Sequence, residues 1–413
     1  MTADVRALGR AVVPDVHRAL REGVDDGAFP GGTAAVFLKG RLVHLSATGD
    51  AQGAPARLPA HDGTLFDLAS VTKLVATTSA AALLLARKAI ALDEPVWRYF
   101  PPFGRVGKKA VTVRHLLAHS SGLPAWRPFF LKVMGDPGAA MLFAQPPVRG
   151  RALHNACRRG HAMVTDLAVT AALEAEPGAR RVYSDLGFIV LGRLVEEVAS
   201  ARLDEFVRNE VLRPLRVEGA SLASLAFRPL DDSVRELDVA ATGLFRPREP
   251  APGQEGQVPA PEGPPPAPRP GEVDDDNAFA MGGVAGHAGL FGEARDVAAF
   301  GAAVLQELAG AGRIAPAEVW EELCAPDPTP GSRRGLGFDM PSAQGSAAGA
   351  RLAASRTVGH LGFTGCSLWI DRDRELSVAL LTNRVHPTRA NTLIQAFRPR
   401  FHDAVVEALE AET

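Results

Sequence analysis

The run of small and apolar residues from Leu74 to Ala86 constrains the fold more than any other feature of the sequence. No polar side chain larger than threonine interrupts it, so it predicts a helix that is apolar on every side and runs to about Ala89. Such a helix has to be buried between other layers, and a chain of 413 residues is long enough to supply them. Ser70 and Lys73 lie at the start of this helix.

Ser70 and Lys73 are three residues apart, so on a helix they project from the same face. A serine hydroxyl becomes a nucleophile when an adjacent base takes its proton. Burial is expected to lower the pKa of the lysine and prepare it as that base, and the amides of a helix N-terminus favour negative charge there. The alternative is an N-capping serine and a solvated lysine. Ser-x-x-Lys alone does not decide between them.

Composition and charge exclude several classes of function. The 45 basic and 47 acidic residues give a net charge of −2, which removes the electrostatic case for a nucleic-acid partner. Cys157, Cys324 and Cys366 are too few and too widely spaced for a disulfide framework or a zinc site. No signal peptide is recognisable, and no apolar stretch reaches the ~20 residues that span a bilayer. We therefore expect a cytoplasmic protein without a membrane partner.

The pattern of strands and helices predicts an α/β (α+β) sandwich in a single domain, 1–413. Strands at both ends form one antiparallel sheet, and a mainly helical insert covers one side of a cleft. We expect the sheet lobe at roughly 1–65 and 275–413, and the helical lobe at roughly 66–245. The elements that carry this prediction are an opening helix over 3–24, a hairpin over 33–48, helices over 186–200, 296–308 and 390–411, and strands over 357–360, 366–370 and 376–382.

A proline-rich segment separates the two predicted lobes. Residues 246–271 contain ten prolines, no aromatic residue and only Val258 as an aliphatic side chain larger than alanine. Such a composition buries little apolar surface, so it predicts a disordered surface loop with polyproline II character, inserted into the domain.

Two further motifs contain groups that are suited to catalysis. Tyr183-Ser-Asp185 precedes a helix, and a tyrosine there can accept or pass a proton, with a pKa that a nearby ammonium would lower. The glycine-rich stretch from Gly359 to Gly365 includes His360, Gly362 and Phe363 and leads into a strand. It would let a substrate lie along the strand edge, with the amides of Phe363 and Ser70 facing a developing oxyanion. The alternatives are a helix cap and a glycine-rich turn.

His115 and His119 have the i, i+4 spacing of a metal-binding helix. No glutamate stands between them as in His-Glu-x-x-His, and no downstream ligand is evident. Structural histidines at a helix end are therefore the preferred interpretation, and we expect neither a metal nor an organic cofactor.

Taken together, these motifs resemble the serine β-lactamase and penicillin-binding-protein superfamily, in its class C β-lactamase, esterase and D-aminopeptidase branch. Its Ser-x-x-Lys falls on Ser70 and Lys73, its Tyr-x-Asn on Tyr183 and Asp185, and its Lys-Thr-Gly on His360-Leu-Gly362. The resemblance extends from about Gly31 to the C-terminus and is also carried by His-Leu-Leu-Ala-His-Ser-Ser-Gly-Leu. It implies an acyl-enzyme on Ser70, general-base duty shared by Lys73 and Tyr183, and an oxyanion held by the Ser70 and Phe363 amides.

The departures from the family pattern bear on the substrate. His360 replaces a lysine that binds a carboxylate in many relatives, and Asp185 replaces an asparagine. Both changes weaken the case for β-lactam hydrolysis and D-Ala-D-Ala carboxypeptidase action. The stretch from Gly271 through Asp274-Asp275 to His287 resembles a subgroup that acts on muramyl-peptide bonds, with Asp274-Asp275 in place of His-Asp. His287 is expected to line the cleft or to be structural, and His360 to bond the substrate or tune Tyr183.

Three functions remain open from the sequence. The first is a serine hydrolase of a small amide or ester, with a peptidoglycan-derived muramyl-peptide as one substrate. The second is a carboxylesterase, weak β-lactamase or carboxypeptidase with the same site. The third is a non-catalytic sensor or scaffold, which the joint presence of Ser70, Lys73 and Tyr183 disfavours.

Overall fold

A computed structural model describes residues 12–53, 56–144, 148–230, 238–261, 271–342 and 345–411. The α-helices in these ranges are α1 (Pro14–Asp25), α2 (Ser79–Ala86), α3 (Val113–Leu117), α4 (Phe129–Met134), α5 (Gly150–Thr170), α6 (Asp185–Ala199), α7 (Leu203–Phe206), α8 (Asp276–Ala280), α9 (Ala294–Leu308), α10 (Ala317–Cys324), α11 (Gly349–Ala353) and α12 (Ile394–Ala411). The strands are β1 (Gly31–Leu38), β2 (Arg41–Gln52), β3 (Leu58–Pro59), β4 (Phe66–Asp67), β5 (Ala226–Phe227), β6 (Leu290–Gly292), β7 (Thr357–Leu361), β8 (Ser367–Asp371) and β9 (Leu376–Thr382).

The main sheet joins the two ends of the chain. Its order is β3-β2-β1-β9-β8-β7, and its neighbours are antiparallel. β1 pairs with β9 from Gly32 opposite Thr382 to Leu38 opposite Leu376. The predicted antiparallel sheet built from both termini is therefore confirmed. A second sheet, β4-β6-β5, was not predicted, because its strands are only two or three residues long.

Helices cover both faces of the main sheet. On one face α1 and α12 pack together and bury Val16, Leu20 and Phe401 against β1 and β9. On the other face α9 contacts β1, β8 and β9, and its core continues into the helical part of the molecule. β1 is thus almost entirely buried, as expected for a central strand covered on both sides. None of the helices in the described ranges has the length and apolar character needed to cross a membrane.

The helix that follows Ser70 is buried as predicted but is not a uniform α-helix. Residues Lys73–Thr78 form π-helical turns, and α2 continues from Ser79 to Ala86. All side chains from Lys73 to Leu84 are buried. The helix ends at Ala86 rather than at Ala89, because the chain turns at Arg87 and reaches a left-handed conformation at Lys88. Wider turns of this kind are frequent at functional sites.

The proline-rich segment differs from its prediction where the structure describes it. Residues 262–270 lie outside the described ranges, but within 246–261 the side chains of Arg248, Ala251 and Val258 are buried. Arg246 and Arg248 bind carboxylates near α8. A disordered loop would not make these contacts at Arg246 and Arg248, whereas most residues from 252 to 260 are exposed, as expected for a surface loop. Ion pairs of Arg246 and Arg248 with distant aspartates, together with the burial of Val258 in the hydrophobic core, hold it in place.

Candidate active site

A cleft of about 170 Å³ brings most of the predicted site residues together. Its lining includes Ser70, Tyr183, Asp185, His287 and Phe363, which come from four separate parts of the sequence. A larger cleft of about 680 Å³ is lined by α5, α6 and the turn at Met281–Val284. Ser70 lies in the smaller cleft, so we assign the candidate active site to it.

Ser70 is presented by a sharp turn between β4 and the buried helix. Ala69, directly before it, has a φ of +46°, a left-handed conformation that non-glycine residues adopt only when the surroundings hold them there. Asp67 supplies that constraint, because its Oδ1 accepts a hydrogen bond of 2.8 Å from the Ala69 amide. Thr364 in turn donates to the Asp67 carbonyl at 2.7 Å. The turn is therefore anchored to the segment that follows β7.

Lys73 is the most enclosed charged group of the site, with a side chain that is 0% exposed. Its Nζ donates to Ser70 Oγ at 2.9 Å and to the His287 carbonyl at 3.1 Å, and it lies 2.7 Å from Asp185 Oδ1. Burial alone would lower the pKa of Lys73, but Asp185 and Tyr183 outweigh it and raise the pKa. The predicted lowered pKa is therefore wrong. Lys73 is an ammonium in the resting site.

Tyr183 lies beside the same lysine. Its phenol is close enough to Lys73 and Ser70 for both to act on its pKa, and its ring centroid is 4.9 Å from Lys73 Nζ. Burial raises the pKa of Tyr183, and Asp185 raises it further, against the opposing effect of Lys73. The predicted lowering of this pKa is also wrong, because the sequence did not show that a carboxylate accompanies the ammonium. Tyr183 is therefore a neutral phenol at rest.

The residues around Tyr183 fix its position. Ser184 caps α6 by accepting a bond of 3.1 Å from the Gly187 amide, and its own amide donates to His119 Nδ1 at 3.0 Å. The His119 ring stacks 4.5 Å from the Tyr183 ring, while His115 completes a capping box with Thr112. Both histidines thus have structural partners. Within the described ranges, no group of three or more His, Cys, Asp and Glu side chains could hold a metal ion.

His360 and Gly362 lie behind the cleft rather than on its wall. The His360 side chain is buried, its Nδ1 shares a hydrogen bond of 2.8 Å with the Leu361 carbonyl, and its ring centroid is 6.1 Å from that of Tyr183. Burial, then the charges of Arg334 and Lys73, lower its pKa well below the ordinary value, so it is a neutral ring. At Gly362 a Cβ would come within 2.6 Å of the Leu68 carbonyl. This glycine lets β7 approach the Ser70 turn.

Phe363 stands at the mouth of the cleft. Its side chain is 39% exposed, and the guanidinium of Arg384 stacks 4.1 Å from its ring centroid. Arg384 also donates to the Phe363 carbonyl at 2.7 Å, so the backbone at this position is held from behind. Phe363 and Ser70 line the same cleft, which is the placement that a shared oxyanion site requires.

Three consecutive aspartates enter the cleft region just before and within α8, and two of them are paired with arginines. Asp274 lies 3.0 Å from Arg389 and 3.4 Å from Arg248. Asp276 lies 2.6 Å from Arg246. These pairs neutralise two of the three carboxylates and tie the proline-rich segment to the site.

Asp275, between them, has a different partner. Its Oδ1 lies 3.0 Å from His287 Nε2 and accepts a bond of 2.7 Å from the Ala278 amide as the N-cap of α8. Burial opposes the charged form, but His287, the Ala278 amide and Arg389 outweigh it and lower the pKa of Asp275. The His287 backbone is fixed as well, because its carbonyl accepts from Lys73. The structure thus places His287 on the cleft wall, one of the two roles expected for it.

Sequence reasoning missed Arg334. Its guanidinium carbon lies 5.0 Å from the Tyr183 ring centroid, and it pairs with Asp339 at 3.4 Å. It precedes β7 in a segment without a recognisable motif, so no local pattern could have identified it. It places a cation close to the position where the family pattern has the lysine that His360 replaces.

Comparison with known proteins agrees with this geometry. The sequence model of the Beta-lactamase family matches residues 16–397. The N-acetylmuramyl-L-alanine amidase of Bacillus subtilis (strain 168) is 30% identical over 383 residues, which cover 87% of this chain and 78% of that protein. A protein of Escherichia coli O157:H7, named as a proposed D-alanyl-D-alanine carboxypeptidase, is 28% identical over 379 residues, covering 87% of this chain and 80% of its own.

A solved structure shares the fold. The penicillin-binding-protein homologue of Caulobacter crescentus superposes with a TM-score of 0.68 at 19% identity, over 97% of this chain and 99% of its own. The same family assignment follows from the match over residues 16–397, from the sheet that joins both termini and from the buried helix behind Ser70. The chain belongs to the beta-lactamase family and is a hydrolase of that superfamily.

Proposed function

We propose that this protein is a serine hydrolase that cleaves an amide through a Ser70 acyl-enzyme, with a muramyl-peptide as its substrate class. One observation carries the proposal: the Lys73 ammonium contacts Ser70 Oγ and Asp185 in a cluster that also holds the Tyr183 phenol. Burying a lysine in this way is costly unless it is paired, so such a cluster has a functional rather than a packing rationale.

The chemistry follows from these contacts. The Lys73–Tyr183 pair acts as one coupled unit and first releases one proton to solvent. Ser70 Oγ then attacks the substrate carbonyl, and the serine proton passes into that pair. The Ser70 and Phe363 amides would stabilise the oxyanion, and one such donor contributes roughly 3 kcal/mol in the transition state. The same pair returns a proton to the leaving group. Water then hydrolyses the acyl-enzyme.

The muramyl-peptide assignment is supported by the 30% identity to the Bacillus subtilis amidase over most of both chains. The stretch from Asp274 to His287, which led to the same subgroup by resemblance, lines the cleft with Asp275 and His287. The cytoplasmic location expected from the sequence accords with a substrate released during peptidoglycan recycling. Cell fractionation with a tagged full-length chain tests that location.

A D-Ala-D-Ala carboxypeptidase is the second candidate, and Arg334 is the observation that favours it. A substrate of that activity carries a free carboxylate, and Arg334 places a guanidinium 5.0 Å from the Tyr183 ring. Arg389, the guanidinium in the cleft lining, is held at 3.0 Å by Asp274, whereas the contact of Arg334 with Asp339 is longer, at 3.4 Å. An uncharged ester substrate has no carboxylate for Arg334 or Arg389 to bind.

Labelling with a fluorophosphonate probe tests the nucleophile. We expect the wild type and Ser79→Ala to be labelled and Ser70→Ala to remain unlabelled. Ser79 is a matched control because it lies in the same helix and donates to the Leu74 carbonyl. Turnover of a muramyl-dipeptide, a D-Ala-D-Ala peptide, a p-nitrophenyl ester and nitrocefin, measured side by side, then assigns the substrate. Labelling that persists in Ser70→Ala would refute the mechanism.

A further inference from the structure

The histidine on the cleft wall has one ring nitrogen that forms no hydrogen bond within the part of the chain that the structure describes. His287 is 1% exposed, its Nε2 faces Asp275, and its Nδ1 has no hydrogen-bond partner among the described residues. A buried polar atom without a partner is rare in folded proteins and calls for a ligand or a water. Because His287 lines the same cleft as Ser70, that partner would come from the cleft.

The tautomer of His287 follows from its neighbour. The charged groups near the ring are Asp275, which faces Nε2, Arg389, which lines the same cleft and acts on Asp275, and Lys73, which donates to the His287 carbonyl. The lowered pKa of Asp275 makes it a carboxylate, and a carboxylate only accepts hydrogen bonds. In the neutral imidazole, Nε2 therefore carries the proton and donates it to Asp275 Oδ1. Nδ1 of that tautomer is an unprotonated acceptor, which is the form that a general base requires.

The other titratable groups of the site are less suited to accept a proton from water. Lys73 is held as an ammonium by Asp185, and Tyr183 is a neutral phenol. Both already contact Ser70, so they serve the serine. Nothing in those contacts provides for the second nucleophile of the reaction, the water that releases the acyl group.

We propose that His287, oriented by Asp275, is the general base that activates the hydrolytic water for deacylation. This assignment is based on three observations among the described residues. Nδ1 of His287 has no partner, Nε2 lies 3.0 Å from Asp275, and His287 lines the same cleft as Ser70. It rests on the Ser70 acyl-enzyme of the proposed function. Asp275 is a positioning residue, since it acts through the imidazole.

The step balances as follows. Water gives a proton to His287 Nδ1 while its oxygen forms a bond to the acyl carbon. The bond from that carbon to Ser70 Oγ then breaks, and Oγ takes a proton from Lys73 or Tyr183. The product is a carboxylic acid, and the proton on His287 returns through solvent to the Lys73–Tyr183 pair.

A capping role for Asp275 is the competing explanation. Asp275 accepts from the Ala278 amide as the N-cap of α8, so part of the arrangement has a structural purpose. That role needs no histidine, however, and it leaves the buried Nδ1 unexplained. The two explanations predict different kinetics. Loss of a base that activates water slows deacylation selectively, whereas loss of a structural contact affects acylation and deacylation alike.

Burst kinetics with p-nitrophenyl acetate separate the two steps. In His287→Gln we expect the deacylation rate to fall about 100-fold or more, while the acylation rate changes less than about 3-fold. Intact-protein mass spectrometry should then show an accumulated acyl-enzyme. Hydroxylamine, a nucleophile that needs no base, should restore turnover. In Asp275→Asn we expect a smaller fall in deacylation and a shifted pH dependence of that step.

His402→Gln is the matched control. His402 is also fully buried, with Nε2 at 3.1 Å from Ser367 Oγ and an unpartnered Nδ1 among the described residues, but it lies in α12. We expect no selective loss of deacylation there. Equal losses of both steps in His287→Gln and Asp275→Asn, or unchanged deacylation, would overturn the proposal. A wild type without a Ser70-dependent burst would instead overturn the proposed function.

Discussion

The carboxylate of Asp185 lies 2.7 Å from the ammonium of Lys73, which stands one turn along the helix from Ser70. Because Asp185 occupies the position of an asparagine in the family pattern, the contact is a full ion pair. It keeps the lysine charged at rest, so Lys73 has to lose a proton before it can accept one from Ser70.

Asp185→Asn should therefore change the pH dependence of the reaction. Loss of the carboxylate lowers the pKa of Lys73 because burial then acts on an unpaired ammonium. We expect the limb of the kcat/KM profile that reports Lys73 to move to lower pH by about one unit or more. Asp15→Asn, in α1 and 55% exposed, is the control. Superimposable profiles for Asp185→Asn and wild type would contradict the ion pair.

Asp67, which holds the Ser70 turn, should make stability depend on pH. Burial raises the pKa of Asp67 from 3.8 to about 7, so the folded protein keeps a proton that the unfolded chain has lost. The stabilisation from the neutral carboxyl is complete below about pH 4 and disappears as the pH rises through about 7.

Asp67→Asn stays uncharged at every pH and isolates this effect. We expect the free energy of unfolding of the wild type, minus that of the variant, to fall between about pH 5 and pH 7.5. The slope is at most about 1.4 kcal/mol per pH unit. Urea unfolding at several pH values measures it. A difference that does not change with pH would show that Asp67 has an ordinary pKa.

Gly286 should be intolerant of any side chain. A Cβ there would lie 2.1 Å from the Phe188 carbonyl oxygen and 2.9 Å from the Gly192 Cα, both on α6. We expect Gly286→Ala to cost about 3 kcal/mol of stability or more and to displace the carbonyls that bind Thr77 and Lys73.

Gly63→Ala is the control, because its nearest contact is His61 Cε1 at 3.6 Å. There we expect a change within about 0.5 kcal/mol. Thermal or urea unfolding of both variants measures the difference. A Gly286→Ala protein as stable as wild type would mean that the backbone at Gly286 is not packed this closely against α6.

Arg334 should discriminate between charged and neutral substrates. If its guanidinium receives a substrate carboxylate, Arg334→Gln should raise KM for a D-Ala-D-Ala peptide about 10-fold or more, since charge-assisted bonds contribute roughly 1.5–3 kcal/mol. KM for a p-nitrophenyl ester should stay nearly unchanged. Arg400→Gln, a 62% exposed arginine paired with Asp26, provides the control. Equal effects on both substrates would exclude a carboxylate-binding role.

Much of the fold could be predicted because it depends on local patterns. The apolar run after Ser70 predicted a buried helix, and the strands at 357–361, 367–371 and 376–382 were located to within a residue or two. The two-residue strands and the π-helical turns at Lys73–Thr78 could not be predicted. Their geometry depends on neighbours that are distant in sequence.

The site was predicted as a set of residues but not in its electrostatics. The pKa directions of Lys73 and Tyr183 were wrong because Asp185 was treated as a substrate-binding residue rather than as the partner of the lysine. The arginines of the proline-rich segment escaped notice for a similar reason. Their partners, Asp274 and Asp276, lie some 30 residues away along the chain.

The pairing of β1 with β9 has a consequence for biosynthesis. Gly32 pairs with Thr382, so a ribosome must reach the far end of β9 before the first hairpin finds its neighbour. Until then that hairpin has an unpaired edge, which favours association with other chains. During synthesis Ser70 leaves the ribosome early, whereas Phe363, which lines the same cleft, leaves it late. A nascent chain that has not yet reached Phe363 thus holds Ser70 without this wall of its cleft.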